Sequence, residues 1–166
     1  LHNIPMSAIA KDSNAAIGTI YHHFRNKEEL VKALYSEIHH ELEEAIRQEE
    51  IDTKNFPLEF KALMLRIFKF FIQNPVKFSF LQQYEHSPYG SDTEELESNV
   101  EYPILPDFFK FGQEKRLIKM LPLSLITNIV YSNVTLLVRL QLSKKVDLNR
   151  EMLELVINTC WMMIKA

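Results

Sequence analysis

The sequence predicts an all-α protein. Only three of its 166 residues are Gly, and residues that favour helices, such as Leu, Glu, Lys and Ile, are abundant. Apolar residues recur every three or four positions through most of the chain, which is the period of a helix with one buried face. With 46% hydrophobic residues, the chain is apolar enough to bury a substantial core.

The cysteine content indicates a reducing environment. Cys160 is the single cysteine, so no intramolecular disulfide can form. Its apolar neighbours Trp161 and Met162 favour a buried structural thiol over a reactive one. No signal peptide is visible, and we expect a cytoplasmic protein.

Two short helices open the chain. Pro5 suits the first turn of a helix over Met6 to Asp12, and a second helix is predicted over Ala16 to His22. Asn14 lies between them and tolerates the left-handed conformation that a tight turn needs. Two such helices form a helix-turn-helix, whose second helix can enter the DNA major groove. In this register Ile9, Ala10, Ile20 and Phe24 face inward.

The second helix presents an outward face of Ile17, Gly18, Thr19, Tyr21 and His22. It contains no Arg, Asn or Gln to make a bidentate hydrogen bond to guanine or adenine. We therefore expect base readout through Ile17 and the Thr19 methyl group against thymine methyl groups, with His22 as a hydrogen-bonding residue. Because Gly18 has no side chain, DNA can approach the backbone of this helix closely.

Ten residues of this stretch stand at the fixed spacing of a known signature: Ile9, Ala10, Gly18, Thr19, Ile20, Tyr21, His23, Phe24, Lys27 and Leu30. The stretch resembles the DNA-binding domain of the TetR family of transcriptional repressors. The resemblance covers residues 1–45, and it implies phosphate contacts for Thr19, Tyr21 and Lys27. For Tyr21, packing between helices is the alternative.

The chain departs from the family pattern in three ways. Ser13 and Asn14 replace the usual Ala-Gly, and Ala16 replaces a capping Ser or Thr, which typically costs about 1 kcal/mol of helix stability. The family also has a helix before this motif, and we expect that helix to be missing ahead of Leu1. A binding module without DNA recognition is therefore the alternative interpretation.

Charge supports a nucleic-acid interface at the start of the chain. Residues 1–27 carry Lys11, Arg25 and Lys27 against one Asp, whereas residues 28–50 carry eight Glu. Ser7 and Lys11 lie four residues apart, on one face, where they can reach backbone phosphates. An ordinary solvated Lys11 and a solvated Glu face are the alternatives.

A long helix links this motif to the rest of the chain. Asn26 caps its start, Glu29 stands at the third position, and the helix is predicted to run from Lys27 to Glu50. This helix would be a mechanical connection to a second domain, residues 46–166. Its predicted apolar stripe is Leu30, Leu34, Ile38, Leu42 and Ile46, broadened by Val31 and Tyr35.

Five further helices are predicted in the second domain, several of them opened by Pro or Asn. A loop over His86 to Thr93 and a weakly patterned segment over Glu94 to Tyr102 interrupt them. Pro103 and Pro106 are expected to break any continuous helix there. The helix predicted after them, Asp107 to Ile118, has a basic end at Lys115, Arg116 and Lys119. The helices are Pro57 to Asn74, Pro75 to Tyr84, Asp107 to Ile118, Pro122 to Ser143 and Asn149 to Lys165.

The most apolar stretch, Leu121 to Leu142, is long enough to span a membrane. Polar residues at positions 124, 128, 132, 135 and 139 follow helical spacing, which favours a buried or interfacial helix over a membrane span. We expect no membrane partner.

The second domain is rich in Phe between Phe56 and Phe111, which is typical of a core. The family resemblance implies instead a cavity for a small, largely apolar effector. It also implies a homodimer through the last two helices, which would present two recognition helices to a palindromic site on double-stranded DNA. The expected ligand-binding residues are Phe68, Phe80, Tyr84, Phe108, Asn128 and Tyr131.

These features predict a ligand-responsive transcriptional regulator, with repression as the expected sign. An all-helical enzyme is a third hypothesis, but the sequence has no Ser-His-Asp set in a motif context, no Gly-rich phosphate loop and no paired carboxylates in an apolar surround. No cofactor is expected. The adjacent pairs His22–His23 and His39–His40 point about 100° apart on a helix, so we expect no metal site.

Overall fold

The computed structural model describes residues 4–47, 51–89 and 104–166. The predicted all-α class is confirmed: these residues form eight α-helices, and a 3-10 turn at Thr53–Asn55 precedes the fourth. The segment 94–102 and the end of the loop 86–93 lie outside the described residues. The helices are α1 (Met6–Asp12), α2 (Ile17–His23), α3 (Lys27–Arg47), α4 (Phe56–Gln73), α5 (Pro75–Glu85), α6 (Ile104–Glu114), α7 (Leu123–Leu142) and α8 (Arg150–Ile164).

Three helices end at a non-glycine residue with positive φ. Asn14, Arg116 and Lys144 have φ angles of 53°, 55° and 54° and follow α1, α6 and α7. After α1, the Ala15 N–H donates to the Ala10 carbonyl at 3.0 Å and the Asn14 N–H to the Lys11 carbonyl at 3.2 Å. This pair of bonds is a Schellman motif, which satisfies carbonyls at a helix end. The predicted turn at Asn14 is confirmed.

The bounds predicted for α6 are wrong at both ends. The helix begins at Ile104 rather than Asp107, because Pro106 lies in the first turn, where a missing N–H breaks no intrahelical bond. It ends at Glu114 rather than Ile118, because Arg116 adopts the left-handed conformation and the Leu117 N–H donates to the Gly112 carbonyl at 2.8 Å. The predicted basic end of this helix therefore lies in the turn that follows.

Helix α4 lies at the centre of the bundle and contacts α3, α5, α7 and α8. Its fully buried residues follow helical spacing along one face, whereas Leu58 and Leu65 on the other side are 62% and 37% exposed. Phe56, at its start, stacks on Phe108 of α6 with ring centroids 4.1 Å apart. A methyl group at Gly112 of α6 would overlap the same Phe56 ring, so this glycine permits the close approach of α6 to α4.

The buried face of α3 differs from the predicted stripe. Leu34 is 44% exposed, whereas His39 is buried with Val31, Ile38, Leu42 and Ile46. A strict four-residue repeat drifts around a helix of 3.6 residues per turn, so a stripe started at Leu30 cannot stay inward. His39 instead lies on the core side, and its ring centroid is 4.1 Å from that of Tyr35.

Ionic contacts fasten α3 to the bundle. Arg66 of α4 donates to the Glu59 carboxylate at 3.0 Å and to the Ile46 carbonyl of α3 at 3.4 Å. The side chains of Glu59 and Arg66 are 8% and 14% exposed, so this pair is largely withdrawn from water. Lys77 of α5 pairs with Glu41 of α3. These contacts hold the second half of α3 against α4 and α5.

Helix α7 is long and apolar enough to cross a membrane by length and composition, yet it packs on α4, α6 and α8. The core helices of soluble helical bundles also meet this criterion of length and composition. Its predicted polar seam mostly faces outward: Ser124, Asn128, Ser132 and Arg139 are exposed, and only Thr135 of that set is buried. The seam therefore belongs to an open face of the bundle.

The last helix begins as predicted. The Met152 N–H donates to the Asn149 side-chain oxygen at 2.9 Å, which is an N-cap bond. Cys160 of this helix is 1% exposed, and burial raises the pKa of its thiol. The expectation of a buried structural cysteine is confirmed.

We expect His39 to make the protein less stable in acid. Burial lowers the pKa of His39 from 6.5 to about 3, so the folded protein keeps it neutral while the unfolded chain takes up a proton below pH 6.5. Stability should therefore fall as pH drops from 6.5 towards 3, by up to about 1 kcal/mol per pH unit from this residue.

Urea unfolding of His39→Gln between pH 7.5 and 4.5 measures this effect. The variant should lose less stability in acid than the parent chain, because glutamine does not titrate. His40→Gln is the matched control, since His40 is the exposed neighbour on the same helix. Equal pH slopes for His39→Gln and the parent would contradict the prediction.

Candidate nucleic-acid interface

The motif α1–turn–α2 is built on a small buried patch. Met6 and Ala10 of α1 are 7% and 4% exposed, and α1 contacts α2. The Ser13 hydroxyl donates to the Ile9 carbonyl at 2.8 Å, which adds a side-chain cap to the end of α1. Ala16 precedes α2 without a side-chain cap bond, as its methyl group requires. The position of α2 relative to α1 therefore depends on the turn and on the contact between the two helices.

The structure places the predicted recognition residues on one open surface. Gly18, Thr19 and His22 are exposed, and Ile17 and Tyr21 are 43% and 51% exposed. Packing of Tyr21 between helices is not what the structure shows. The inward residues Ile20 and Phe24 are half-buried, which confirms the register.

Gly18 makes no close packing contact with the residues that the structure describes. A methyl group added there would meet no atom within 4 Å, apart from its own helix backbone and chain neighbours. Glycine destabilises a helix by about 1 kcal/mol relative to alanine, so its presence at an open position is not explained by the fold. The low surface is available to a molecule outside the protein.

Cations flank this surface. Ser7, Lys11 and Arg25 are exposed, whereas Lys27 is half-buried and takes part in a contact within the protein. Lys11 lies in the last turn of α1, where a cation also interacts favourably with the helix dipole. The surface can thus meet phosphates with Lys11 and Arg25, while Lys27 is less accessible than the sequence suggested.

The start of α3 is capped from both directions. The Glu29 N–H donates to the Asn26 side-chain oxygen at 2.9 Å, which confirms the predicted cap. The Glu29 carboxylate accepts a hydrogen bond from the Arg25 N–H at 2.7 Å. These bonds fix the path of the chain between α2 and α3.

The six expected ligand-binding residues lie on four helices, α4, α5, α6 and α7. Phe80 and Tyr84 of α5 lie together, with ring centroids 6.2 Å apart. Phe108 belongs to a different aromatic group, stacked on Phe56, and Tyr131 of α7 lies edge-on to Phe71 at 6.4 Å. Phe68 is half-buried against the core.

Asn128 was expected to line a cavity, but it lies on the exposed side of α7. Its side chain is exposed and donates to the Ser124 carbonyl one turn earlier on α7, at 2.8 Å. It lies on the outward seam of α7 described above.

Sequence reasoning missed a polar cluster that joins α3 to α5. The Tyr35 ring stacks on Tyr84 at 4.1 Å and meets the His39 ring at 4.1 Å. Burial raises the pKa of Tyr131, and the nearby Glu85 carboxylate raises it further. The signal was available as the i, i+4 spacing of Tyr35 and His39 on the core side of α3.

Three clefts lined by described residues are surface grooves of mixed polarity. One of about 350 Å³ lies between α3 and α4, and its lining includes Glu41, Arg66 and Lys69. A second of about 530 Å³ surrounds the start of α3, and a third of about 340 Å³ lies between α4 and α8. None of these three is lined by the six expected ligand-binding residues.

The described residues contain no group of three or more His, Cys, Asp or Glu side chains placed to hold a metal ion. The rings of His22 and His23 meet edge-on with centroids 5.3 Å apart. They lie at the end of α2, next to the outward face rather than in a cavity.

Comparison with known families identifies both parts of the chain. A family described as "Tetracyclin repressor-like, C-terminal domain" matches residues 57–165, and one described as "Bacterial regulatory proteins, tetR family" matches residues 1–34. An uncharacterized HTH-type transcriptional regulator of Haemophilus influenzae is 32% identical over 92 residues. That alignment covers 55% of this chain and 49% of the relative, so the chain matches about half the length of that protein.

Solved structures agree in fold. A TetR-family transcriptional regulator from Haemophilus influenzae superposes with a TM-score of 0.81 at 26% identity, over 100% of this chain and 87% of that one. A TetR family transcription regulator from Marinobacter aquaeolei VT8 gives a TM-score of 0.85 at 19% identity, over 99% of this chain and 86% of that one. At that lower identity the likeness concerns the fold alone.

Gly18→Ala should stabilise the protein and weaken its binding to double-stranded DNA. Alanine favours the helix by up to about 1 kcal/mol and meets no neighbour, whereas its methyl group occupies the open surface. Gly112→Ala is the matched control, and it should destabilise the protein by forcing Phe56 aside. Urea unfolding and DNA titration give the two readouts; DNA affinity equal to the parent would contradict a role for Gly18 in docking.

Proposed function

Because the chain belongs to the TetR family of transcriptional regulators, we propose that it binds double-stranded DNA through the outward face of α2 and represses transcription. The observation that carries this proposal is the open surface of Ile17, Gly18, Thr19, Tyr21 and His22. The fold leaves these side chains exposed and places α1 beside them. In a helix-turn-helix the second helix lies in the major groove while the first crosses the backbone.

Phosphate contacts position the protein in this proposal. Ser7, Lys11, Thr19, Tyr21 and Lys27 supply the hydroxyl groups and cations that hydrogen-bond to the DNA backbone. Glu28 and Glu29 lie just beyond the motif, and their charges disfavour phosphate further along α3. Binding therefore centres on residues 1–45, which we treat as the DNA-binding domain, and it takes place in the cytoplasm.

We propose a homodimer through α7 and α8. Both helices carry large apolar side chains on their open faces, and an exposed apolar patch of this kind is typical of an interaction site. Two copies related by a twofold axis would present two α2 helices to a palindromic operator. The exposed residues are Leu125 and Leu136 of α7 and Met152, Leu155 and Met162 of α8.

Residues 46–166 form the proposed effector-binding and dimerisation domain. Phe68, Phe80, Tyr84, Phe108 and Tyr131 supply the apolar surface for a small effector, and Asn128 lies on the dimerisation side. Tyr35 and His39 place polar groups of α3 beside Tyr84. An effector with an apolar body and one hydrogen-bonding group would suit these apolar and polar side chains of α3 and α5.

The response to an effector would pass through α3. This helix begins next to the DNA-binding motif and is held to α4 and α5 by Arg66 and Lys77. An effector that separates Tyr35 from Tyr84 would tilt α3 and change the spacing of the two recognition helices in the dimer. Only an effector with different affinity for the two positions of α3 releases DNA.

A helical small-molecule-binding protein without DNA binding is the second candidate, and the uncapped start of α2 favours it. Salt dependence separates the two. With about three phosphate-neutralising cations per protomer, binding of the dimer to its operator should weaken with a log-log slope of roughly −5.

Operator binding measured between low and moderate salt tests this prediction. Lys11→Gln should reduce the magnitude of the slope by roughly 2 for the dimer, since it removes one phosphate contact per protomer. Lys110→Gln on α6 is the control and should leave the slope unchanged. A slope near zero for the parent chain would favour the second candidate.

Leu155→Glu should convert the dimer into a monomer. Leu155 is 66% exposed, so glutamate is tolerated in a free chain but places a charge in the proposed interface. Val76→Glu is the control, because Val76 is 80% exposed and belongs to α5 rather than to α7 or α8. Native mass spectrometry at micromolar concentration gives the mass of each; a monomeric parent, or a dimeric Leu155→Glu, contradicts the proposed interface.

A further inference from the structure

The surface groove between α3 and α4 has walls of opposite charge. Glu41 and Glu44 line it from α3, and Arg66 and Lys69 line it from α4. The members of each pair stand three residues apart, so they share one face of their helix. The volume of the groove, about 350 Å³, is in the range of clefts that hold small molecules. The groove therefore offers carboxylates on one side and cations on the other.

The carboxylates of the α3 wall are paired away from α4. Glu41 pairs with Lys77 of α5. The Glu44 carboxylate lies 3.4 Å from Nε2 of His40, one turn earlier on α3, and these two side chains are 66% and 65% exposed. An ion pair that is exposed to this extent contributes little to stability. Glu44 is thus available to a cationic group that enters the groove.

The α4 wall carries donors that the fold does not use. Lys69 and Gln73 stand four residues apart on α4, and both are exposed in the groove. Neither makes a hydrogen bond or an ion pair with any residue that the structure describes. Arg66 adds positive charge to this wall while it donates to Glu59 and to the Ile46 carbonyl. A carboxylate is the group that accepts hydrogen bonds from both an ammonium and an amide.

The floor between the walls is apolar. Phe70, which is 8% exposed, and the half-buried Ala45 belong to the lining. Two carboxylates and two cations line the groove, so their charges cancel and neither a net anion nor a net cation is favoured. A molecule with one charge of each sign, separated by a short methylene chain, matches both walls and the floor.

We infer that the α3–α4 groove is a binding site for a small zwitterion, whose carboxylate contacts Lys69 and Gln73 and whose ammonium group contacts Glu44. Amino acids and aminoalkanoic acids belong to this chemical class. The site is separate from the aromatic residues proposed for the apolar effector, and it does not rest on the proposed DNA binding. It lies on α3, the helix that joins the DNA-binding motif to the bundle.

Titration calorimetry of the full chain tests the ligand class. The zwitterions are β-alanine, γ-aminobutyrate and ε-aminohexanoate, which differ in the separation of their two charges. Hexanoate and hexylamine are the controls, because each carries one of the charges alone. At least one zwitterion should bind about tenfold more tightly than both controls, since only a zwitterion makes charge-assisted hydrogen bonds to both walls.

Substitutions locate the site. Lys69→Gln should lower the affinity for the preferred zwitterion to that of hexylamine, and Glu44→Gln should lower it to that of hexanoate. Both side chains are exposed, so both variants should fold. Lys61→Gln on α4 and Glu43→Gln on α3 are the matched controls, because neither residue lines the groove, and they should bind like the parent chain.

Each result decides one part of the inference. Zwitterions that bind no more tightly than hexanoate and hexylamine overturn the ligand class. Parent-like affinity in Lys69→Gln or Glu44→Gln, or an equal loss in their matched controls, overturns the location. Calorimetry is carried out without DNA, so failure here leaves the proposed DNA binding untouched, and failure to bind an operator leaves this site untouched.

Discussion

The burial of one long apolar face of α4 is the constraint on which the rest of the structure depends. An apolar helix face is stable in water only when other helices cover it. Helices α3, α5, α7 and α8 do so here, and α6 stacks Phe108 on Phe56 at the start of α4. Phe60, Ile67 and Phe71 are at most 1% exposed. The position of α3, and with it the link to the DNA-binding motif, follows from this packing.

Polar groups within that core fix where α3 lies along α4. Removing a charge from water is costly unless a partner compensates it, so the buried Glu59–Arg66 pair favours one arrangement of the helices around it. Arg66 also reaches the Ile46 carbonyl of α3, and His39 is buried beside Tyr35 as a neutral ring. The connecting helix is thus held by directional contacts as well as by apolar packing. A ligand can move such a helix only by replacing those contacts.

The sequence predicted more of the fold than of the effector site. Asn26, Pro57, Asn149 and Asn14 marked helix starts and a turn by local backbone preferences, and the structure confirms a helix boundary at or beside each. Pro106 misled the prediction for α6, because a proline is disruptive inside a helix and harmless in its first turn. The expected ligand-binding residues are implied by the family resemblance. Their placement depends on how α4, α5, α6 and α7 meet, which no local pattern contains.

The sequence by itself determined the helices, the register of α2 and the chemistry of its outward face, since these follow from neighbours within a few positions. Ile17, Gly18 and Thr19 are exposed in the structure, as predicted. Only the tertiary structure decided that Leu34 is exposed and His39 buried, and that Phe108 stacks on Phe56 while Tyr84 stacks on Tyr35. Burial of those residues depends on helices far away in the chain, and contact between helices is a property of the assembled bundle.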